Sequence, residues 1–415
     1  MTAPERAPGL MLCGGASTVP LSVDVAEMAL AQAAKRGLRT LVTNQEATLA
    51  ATPAVTGAAT AARAVDFEDP AASSAWARQA AAAGEEFDLV LGVREMAQAA
   101  TAEIAAALGL PGNPPHAVHR VRNKDLCRAA LAEAGFRQPQ VRLCRDAAEA
   151  AEFLRQVGGP WVVKPRDQMG SEGVSRVNDA AGLVRAIAEL PTPGPFLVEQ
   201  FVEGPEYSVE GVFLDGVPTV LAVTEKEKSE PPYFVELGHV LPAPLPADTS
   251  ERIGKEVGAA LLALGLRYGL FHVELWLSPD RIVLGEVHVR NGGGWIHRML
   301  AHAIPGLEMF GLVYDNALGR PVPEVTAPTR GAAARFLTAP PGRLIAIEGW
   351  DEVLDNPAVL YAELTVRPGE LIRPLRSGED RLGAIVVGAA NAEDARALVR
   401  ELAARVRFLV EREEP

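Results

Sequence analysis

Gly285-Glu286-Val287-His288-Val289-Arg290-Asn291-Gly292-Gly293-Gly294-Trp295 is the stretch whose reading decides the fold. It follows the apolar run Arg281-Ile282-Val283-Leu284, so it reads as the end of a strand breaking into a glycine turn. Side chains alternate between faces along a strand. Glu286, His288 and Arg290 therefore share one face, and Val287 and Val289 the other. A carboxylate, an imidazole and a guanidinium are costly to bury together unless they meet a metal or an anionic ligand. The plain alternative is a half-exposed strand with its polar side to water. The preceding run, Phe271-His272-Val273-Glu274-Leu275-Trp276-Leu277, alternates in the same way, with His272, Glu274 and Trp276 on one face. The turn Ser278-Pro279-Asp280-Arg281 has Pro at its second position, as a hairpin connection allows. In such a hairpin Glu274 and Glu286 converge. Two converging carboxylates repel unless one keeps a proton or a cation lies between them. Magnesium takes few protein carboxylates and fills its other positions with water and phosphate oxygens. The pair then reads as Mg-nucleotide chemistry, with Arg290 at its edge to hold anionic oxygens.

Glu274, followed by Glu286-x-His288-x-Arg290 and a glycine run, resembles the end of an ATP-grasp domain. In that family the pattern is Glu, then Glu-x-Asn-x-Arg and glycines. His288 stands where Asn is usual. Imidazole is a poorer magnesium ligand than an amide oxygen, so His288 either joins the metal carboxylates or contacts substrate. The family includes D-alanine–D-alanine ligase, biotin carboxylase, glycinamide ribonucleotide synthetase and the L-amino-acid (dipeptide) ligases. The implied fold class is α/β, the α+β ATP-grasp fold. An N-terminal parallel-sheet (pre-ATP-grasp) domain would span 1–115. A two-lobed core would follow, with the small lobe and its glycine loop over 116–195 and the metal and substrate site over 196–325. A C-terminal β-rich lobe would span 326–415.

Composition agrees with a globular enzyme. The chain has 415 residues, 48% of them hydrophobic, and a mean hydropathy of +0.08. No apolar run reaches the roughly 18 residues that span a membrane, and Met1-Thr2-Ala3-Pro4-Glu5-Arg6 lacks a signal-peptide layout. The net charge of -13 argues against nucleic acid or an anionic membrane as partner. It leaves room for ATP, which needs only a local positive site. Cys13, Cys127 and Cys144 are too few and too far apart for a disulfide framework or a metal pattern, so a reduced, cytoplasmic setting is expected.

Residues 1–115 alternate strand and helix, which implies a parallel sheet. Gly14-Gly15 after the first strand lacks the Gly-x-Gly-x-x-Gly spacing and reads as a tight turn. His116–Ala134 reads as one helical run. Lys124 within it reads as a surface lysine on its own, but the resemblance makes it a phosphate ligand. Trp161-Val162-Val163-Lys164-Pro165 is an apolar strand with one lysine inside, and a buried lysine needs a partner. The loop after it, with Gly170, Ser171 and Gly173, lets backbone N–H groups approach a phosphate. The run Glu199-Gln200-Phe201-Val202 would be the hinge whose backbone meets adenine, and Glu206 would take the ribose hydroxyls. Without the flanking motifs, Glu199, Glu203 and Glu206 would be an ordinary solvated face. Residues 225–246 read as an irregular loop and resemble the loop that covers the acyl substrate in the dipeptide ligases, which makes Lys226 and His239 candidate substrate contacts. Helix 250–264, capped by Thr249 or Ser250, should pack behind the metal strands. The end, 392–410, reads as a helix. Arg381-Leu382-Gly383-Ala384-Ile385-Val386-Val387-Gly388 resembles the C-terminal lobe of the L-amino-acid ligases.

The resemblance implies an ATP-dependent carboxylate–amine ligase. ATP would turn a carboxylate into an acyl phosphate, and an amine would attack it to give an amide, ADP and phosphate. Lys124 and Lys164 would hold phosphates. Glu274 and Glu286, with or without His288, would hold Mg2+ or Mn2+. Arg290 and the N–H groups of Gly292, Gly293 and Gly294 would stabilise the oxyanion, and Trp295 would shape the amino-acid pocket. The partners are small carboxylates and amines, amino acids first, and a homodimer is allowed. The alternatives are an ATP-grasp ligase or carboxylase on another carboxylate, and a nucleotide-binding regulator. The last would not need the metal carboxylates, and both are present.

Overall fold

The computed structural model describes residues 6–278 and 281–411. Pro279 and Asp280 of the hairpin turn, and the leader reading at Met1–Glu5, lie outside the described residues. The described residues form four sheets. The short apolar runs Gly9–Cys13, Arg39–Asn44 and Leu89–Gly92, with Ala61–Ala64, make a parallel sheet in the order 61–64, 39–44, 9–13, 89–92. Helices Pro20–Lys35, Pro70–Ala82 and Gln98–Leu108 connect or cover it, as the alternation predicts. The alanine-rich stretch between 45 and 64 has no period to read, and it holds two short helices, Glu46–Ala51 and Pro53–Ala58.

The single helical run expected over 116–134 is two helices, Pro115–Arg122 and Lys124–Glu133. The chain breaks at Asn123, whose φ of -97° and ψ of 105° are extended. The break makes Lys124 the first residue of a helix. An antiparallel sheet follows, in the order Val141–Cys144, Phe196–Gln200, Trp161–Pro165, Ser175–Val177.

The largest sheet has eight strands, in the order 281–288, 270–278, 206–214, 217–228, 236–241, 331–337, 383–389, 359–364. It runs without interruption past the proline-rich segment 321–328, because Gly331–Leu337 pairs with both Glu236–Leu241 and Gly383–Ala389. The segment 225–246 is not one loop: 225–228 ends one strand and Glu236–Leu241 forms the next, with 229–235 and 242–246 irregular. Its mixed composition comes from strands whose site-facing side is charged. Helix Ala247–Ala263 starts after Pro246 with no side-chain cap, rather than at Thr249 or Ser250. Its Ile253, Val257 and Leu261 pack with Phe271, Val273 and Val287, behind the two acidic strands. The last helix stops at Arg405, and Arg407–Glu411 pairs with Gly342–Glu348. Phe408 and Val410 are half-buried between exposed neighbours, a period of two that fits a strand and not a helix.

Gly211 shows how tightly the large sheet is filled. A Cβ there would lie 2.0 Å from Phe271 Cζ and 2.5 Å from the carbonyl oxygen of Thr219. Gly211→Ala should therefore cost roughly 1–3 kcal/mol of stability, seen as a lower melting temperature. Gly258→Ala, in a helix with no atom nearer than 3.8 Å to the new Cβ, should be neutral or gain up to about 1 kcal/mol.

Candidate active site

The two acidic strands meet as expected, with one irregularity that decides the site. His272 faces His288 and Val273 faces Val287, but Leu275 faces Leu284. One extra residue therefore sits on the second strand opposite Glu274, at Gly285-Glu286. The buried apolar positions shift parity across it, from Ile282 and Leu284 to Val287 and Val289. Unbroken alternation from Ile282 would have sent Glu286 into the core. The bulge turns it to the polar face instead. Gly285 suits this point, because a Cβ would lie 3.0 Å from the carbonyl oxygen of Glu274.

The carboxylates are matched by lysines. Lys124 Nζ lies 3.4 Å from Glu286 and donates to the carbonyl of Gln168 at 2.6 Å. Lys226, fully buried on strand 217–228, meets Glu274 at 2.5 Å, Glu236 at 2.6 Å and Glu206 at 3.3 Å. Burial opposes charge on Glu274, yet Lys226 holds its carboxyl well below the usual range. Burial likewise opposes charge on Glu286, and Lys124, His288 and Lys164 together hold its carboxyl below the usual range. Lys226 thus serves as the countercharge of three acids. Glu206 also takes Lys228 on its Oε2, while its Oε1 has the Lys226 ion pair at 3.3 Å and no hydrogen bond. A buried carboxylate oxygen without a hydrogen bond can still accept one from a ligand hydroxyl.

Lys164 is buried, as its apolar strand predicts, and pairs with Glu199 at 2.9 Å. Arg128 binds the same carboxylate through Nε at 2.9 Å and Nη2 at 3.1 Å. Burial would raise the Glu199 pKa, but the two cations bring it down to about 2. Two buried cations share one carboxylate, so the cluster keeps a surplus positive charge. The Glu199 side chain is thus held by cations, and only its backbone is left for a hinge role. The N–H groups of Gln200 and Phe201 already donate to the carbonyls of Gln140 and Pro160. Gly170, Ser171 and Gly173 all have positive φ, from 61° to 71°. Ser171 Oγ donates to Phe234 O at 3.1 Å, and Gly170 O accepts from the Gly378 N–H at 3.0 Å.

Glu95, beside the parallel sheet, was invisible to motif reading. It follows the carboxyl end of strand Leu89–Gly92, where ligands gather in parallel sheets; that position was the available signal. Its Oε2 lies 2.8 Å from both His288 Nδ1 and Arg290 Nε. Burial opposes its charge, and His288 and Arg290 pull its carboxyl far below the usual range. Arg290 is thereby braced by a carboxylate and also donates to Asn291 O at 2.7 Å. His288 Nε2 reaches Glu286 at 3.4 Å, so it lies beside the acidic pair rather than facing away.

On the other flank, His239 is buried on its strand rather than exposed in a loop. Neither ring nitrogen has a hydrogen-bond partner, and burial lowers its pKa to about 4. A Cβ on Gly294 would lie 2.2 Å from His239 Nε2, and one on Gly292 would lie 2.8 Å from Glu210 Oε2. The glycine turn therefore exists so that the backbone can pass these side chains. Gly293 has open space around it. Trp295 is fully buried and stacks on Tyr361 at 3.7 Å between centroids. It props the turn from beneath. Among the described residues no three His, Cys, Asp or Glu side chains form a metal cage. The donor set that is present, two carboxylates on neighbouring strands bordered by lysines, fits a cation that takes its remaining ligands from phosphate and water.

An ATP-grasp domain model matches residues 157–298, and a model of the L-amino acid ligase C-terminal domain 2 matches residues 335–411. The crystal structure of an L-amino acid ligase from Bacillus licheniformis superposes with a TM-score of 0.79 at 27% identity, covering 98% of this chain and 100% of that one. An uncharacterized protein of Sinorhizobium fredii is 32% identical over 330 residues, covering 76% of this chain and 67% of the relative. Carnosine synthase 1 of Gallus gallus is 29% identical over 263 residues, covering 56% of this chain and 28% of the relative. The chain thus spans about two thirds of one relative and under a third of the other.

His272 offers a test of the charge network. Its Nδ1 lies 2.9 Å from Glu210 and its Nε2 3.4 Å from Glu274, with the His288 ring 5.7 Å away. Burial would lower its pKa, but Glu210 raises it from 6.5 to about 9. The stabilisation is fully present below pH 6.5 and is lost as pH rises through 9. Wild-type unfolding free energy should fall over that window more steeply than that of His272→Gln, by up to about 1.4 kcal/mol per pH unit. Chemical denaturation at a series of pH values measures both slopes, and equal slopes would exclude a charged His272.

Proposed function

The chain belongs to the ATP-grasp ligase family and carries the C-terminal domain of the L-amino-acid ligases, and from that premise we propose that it joins an amino-acid carboxylate to an amine. A carboxylate oxygen attacks the γ-phosphorus of ATP, the bond to ADP breaks, and an acyl phosphate forms. The amine nitrogen then attacks the acyl carbon and loses a proton as phosphate departs, leaving an amide.

The observation that carries this reading is the surplus charge at buried Lys164, Arg128 and Glu199, with Lys164 on the strand that leads into the glycine loop. Two buried cations on one carboxylate are only partly neutralised, and a phosphate supplies the missing charge. Lys124 comes from the adjoining side, against Glu286 and Gln168. Adenine would lie at the hinge, against the carbonyl of Gln200 and the N–H of Val202, because the N–H groups of Gln200 and Phe201 are already committed. Glu206 Oε1, paired with Lys226 at 3.3 Å but without a hydrogen bond, suits a ribose hydroxyl. Magnesium, or manganese, would be held by Glu274 and Glu286, and it supplies charge neutralisation for the transferring phosphoryl group. Lys226 and Lys124 occupy those carboxylates otherwise. Arg290, set by Glu95, presents a planar fork to the oxygens of the acyl phosphate and the tetrahedral intermediate. His288, on Glu95 by one nitrogen and near Glu286 by the other, orients that carboxylate. A neutral His239 can accept a hydrogen bond from a substrate amine. We place the reaction in the cytoplasm, which supplies ATP and keeps the three buried cysteines free.

Turnover over pairs of amino acids should release ADP and phosphate and should require Mg2+ or Mn2+. AMP and pyrophosphate as products would exclude the acyl-phosphate route. Arg290→Ala should lose on the order of 10²–10³ in turnover, the scale of deleting an oxyanion donor, with ATP affinity little changed. Glu95→Gln should lose less, on the order of tenfold, because Arg290 stays but is no longer set. Lys164→Met should abolish ATP binding while the protein still melts as a folded domain. Calorimetric ATP titration on each folded variant separates these outcomes.

A further inference from the structure

We propose that Arg381, from the C-terminal lobe, recognises the unreacted carboxylate of the amine substrate. The inference rests on the ligase reading above. Ligation of two amino acids consumes one carboxylate, and the other substrate reacts through nitrogen and keeps its own. That second anion needs a cation not spent on phosphates or on the metal carboxylates. Lys124, Lys164, Lys226, Lys228 and Arg290 each already hold a carboxylate.

Arg381 differs. Its guanidinium carbon lies 3.9 Å from the centroid of the Phe336 ring. The same ring meets His239 edge-on at 5.5 Å, and a Cβ on Gly294 would lie 3.2 Å from it. The guanidinium is therefore one aromatic ring away from the glycine turn and from the unpartnered His239. Its Nε donates to Gly378 O at 2.8 Å, which fixes the plane of the fork. Nη1 has Glu236 Oε2 at only 3.8 Å, beyond hydrogen-bond length, and Lys226 already takes that acid at 2.6 Å. The other acid in reach, Glu363, accepts from the Tyr361 hydroxyl at 3.1 Å. Burial pushes the Glu363 carboxyl up and the Arg381 guanidinium down, with Glu236 offsetting the latter only in part. The side chain remains 24% exposed, so a ligand can reach it. A planar fork, held flat on an aromatic face and short of countercharge, matches a carboxylate.

The test uses L-alanine and L-alaninamide, which share the amine and differ in the carboxylate. In the full-length protein, L-alanine should raise the melting temperature more than L-alaninamide does. In Arg381→Gln that difference should vanish, and Arg381→Lys should restore part of it. In turnover, the Michaelis constant for L-alanine as amine should rise roughly 10- to 100-fold in Arg381→Gln, the worth of a charge-assisted pair, while that for L-alaninamide holds. A purely structural Arg381 would move both constants together. Equal stabilisation of wild type by the two compounds, or an unchanged difference in a folded Arg381→Gln, would overturn the proposal. Failure of the ligase reading shows separately, as no ADP release with any pair of substrates, and the melting comparison still decides Arg381.

Discussion

Everything in the site depends on one constraint, the cost of burying charge without a partner. Glu95, Glu199, Glu206, Glu210, Lys164 and Lys226 are all buried, and each would be untenable alone. The structure answers by linking them. Lys226 serves three carboxylates, Glu199 serves two cations, and Glu95 serves an imidazole and a guanidinium. On the ligase reading, nucleotide and metal arrive by exchange. Phosphates would take over at Lys124 and Lys164, and Glu274 and Glu286 would hold the cation in place of their lysines. The same lattice also explains the glycine turn, where a Cβ on Gly294 or Gly292 would lie within 3 Å of His239 or Glu210.

How much of this the sequence could reveal follows from range. The parallel strands of the first domain, the lysine strand 161–165 and the acidic hairpin were legible because each carries its own period and its own breaker. Lys164, Glu274 and Glu286 were found because a polar residue inside an apolar alternation is itself a signal. The roles of Glu95, Arg128 and Glu210 were not legible. Each reaches its partner across 62 to 195 residues of chain, and nothing local marks a carboxylate as someone else's counterion. Lys226 and His239 were seen as residues but set in a loop, because a strand with one charged face mimics irregular composition.

The bulge at Gly285-Glu286 shows a further limit. Alternation counted backwards from Arg290 puts Glu286 on the polar face, and counted forwards from Ile282 it puts Glu286 in the core. Both counts are correct on their own side of the bulge, and only the pairing with Leu275 and Val273 shows where they change over. Gly285 was the one local hint, since a glycine inside a strand often marks such a point.

The unbroken eight-stranded sheet has a consequence for the history of such a chain. A lobe attached by a linker alone can be gained or lost by recombination at the linker. Here the proline-rich segment 321–328 looks like such a joint, but Gly331–Leu337 completes the hydrogen bonding of Glu236–Leu241, the strand that carries His239. Cutting at the joint would leave that edge bare, with its row of open N–H and C=O groups inviting another chain to pair. The C-terminal lobe is therefore heritable only together with the core it completes, and an ancestor without it would have needed a different cover for that edge.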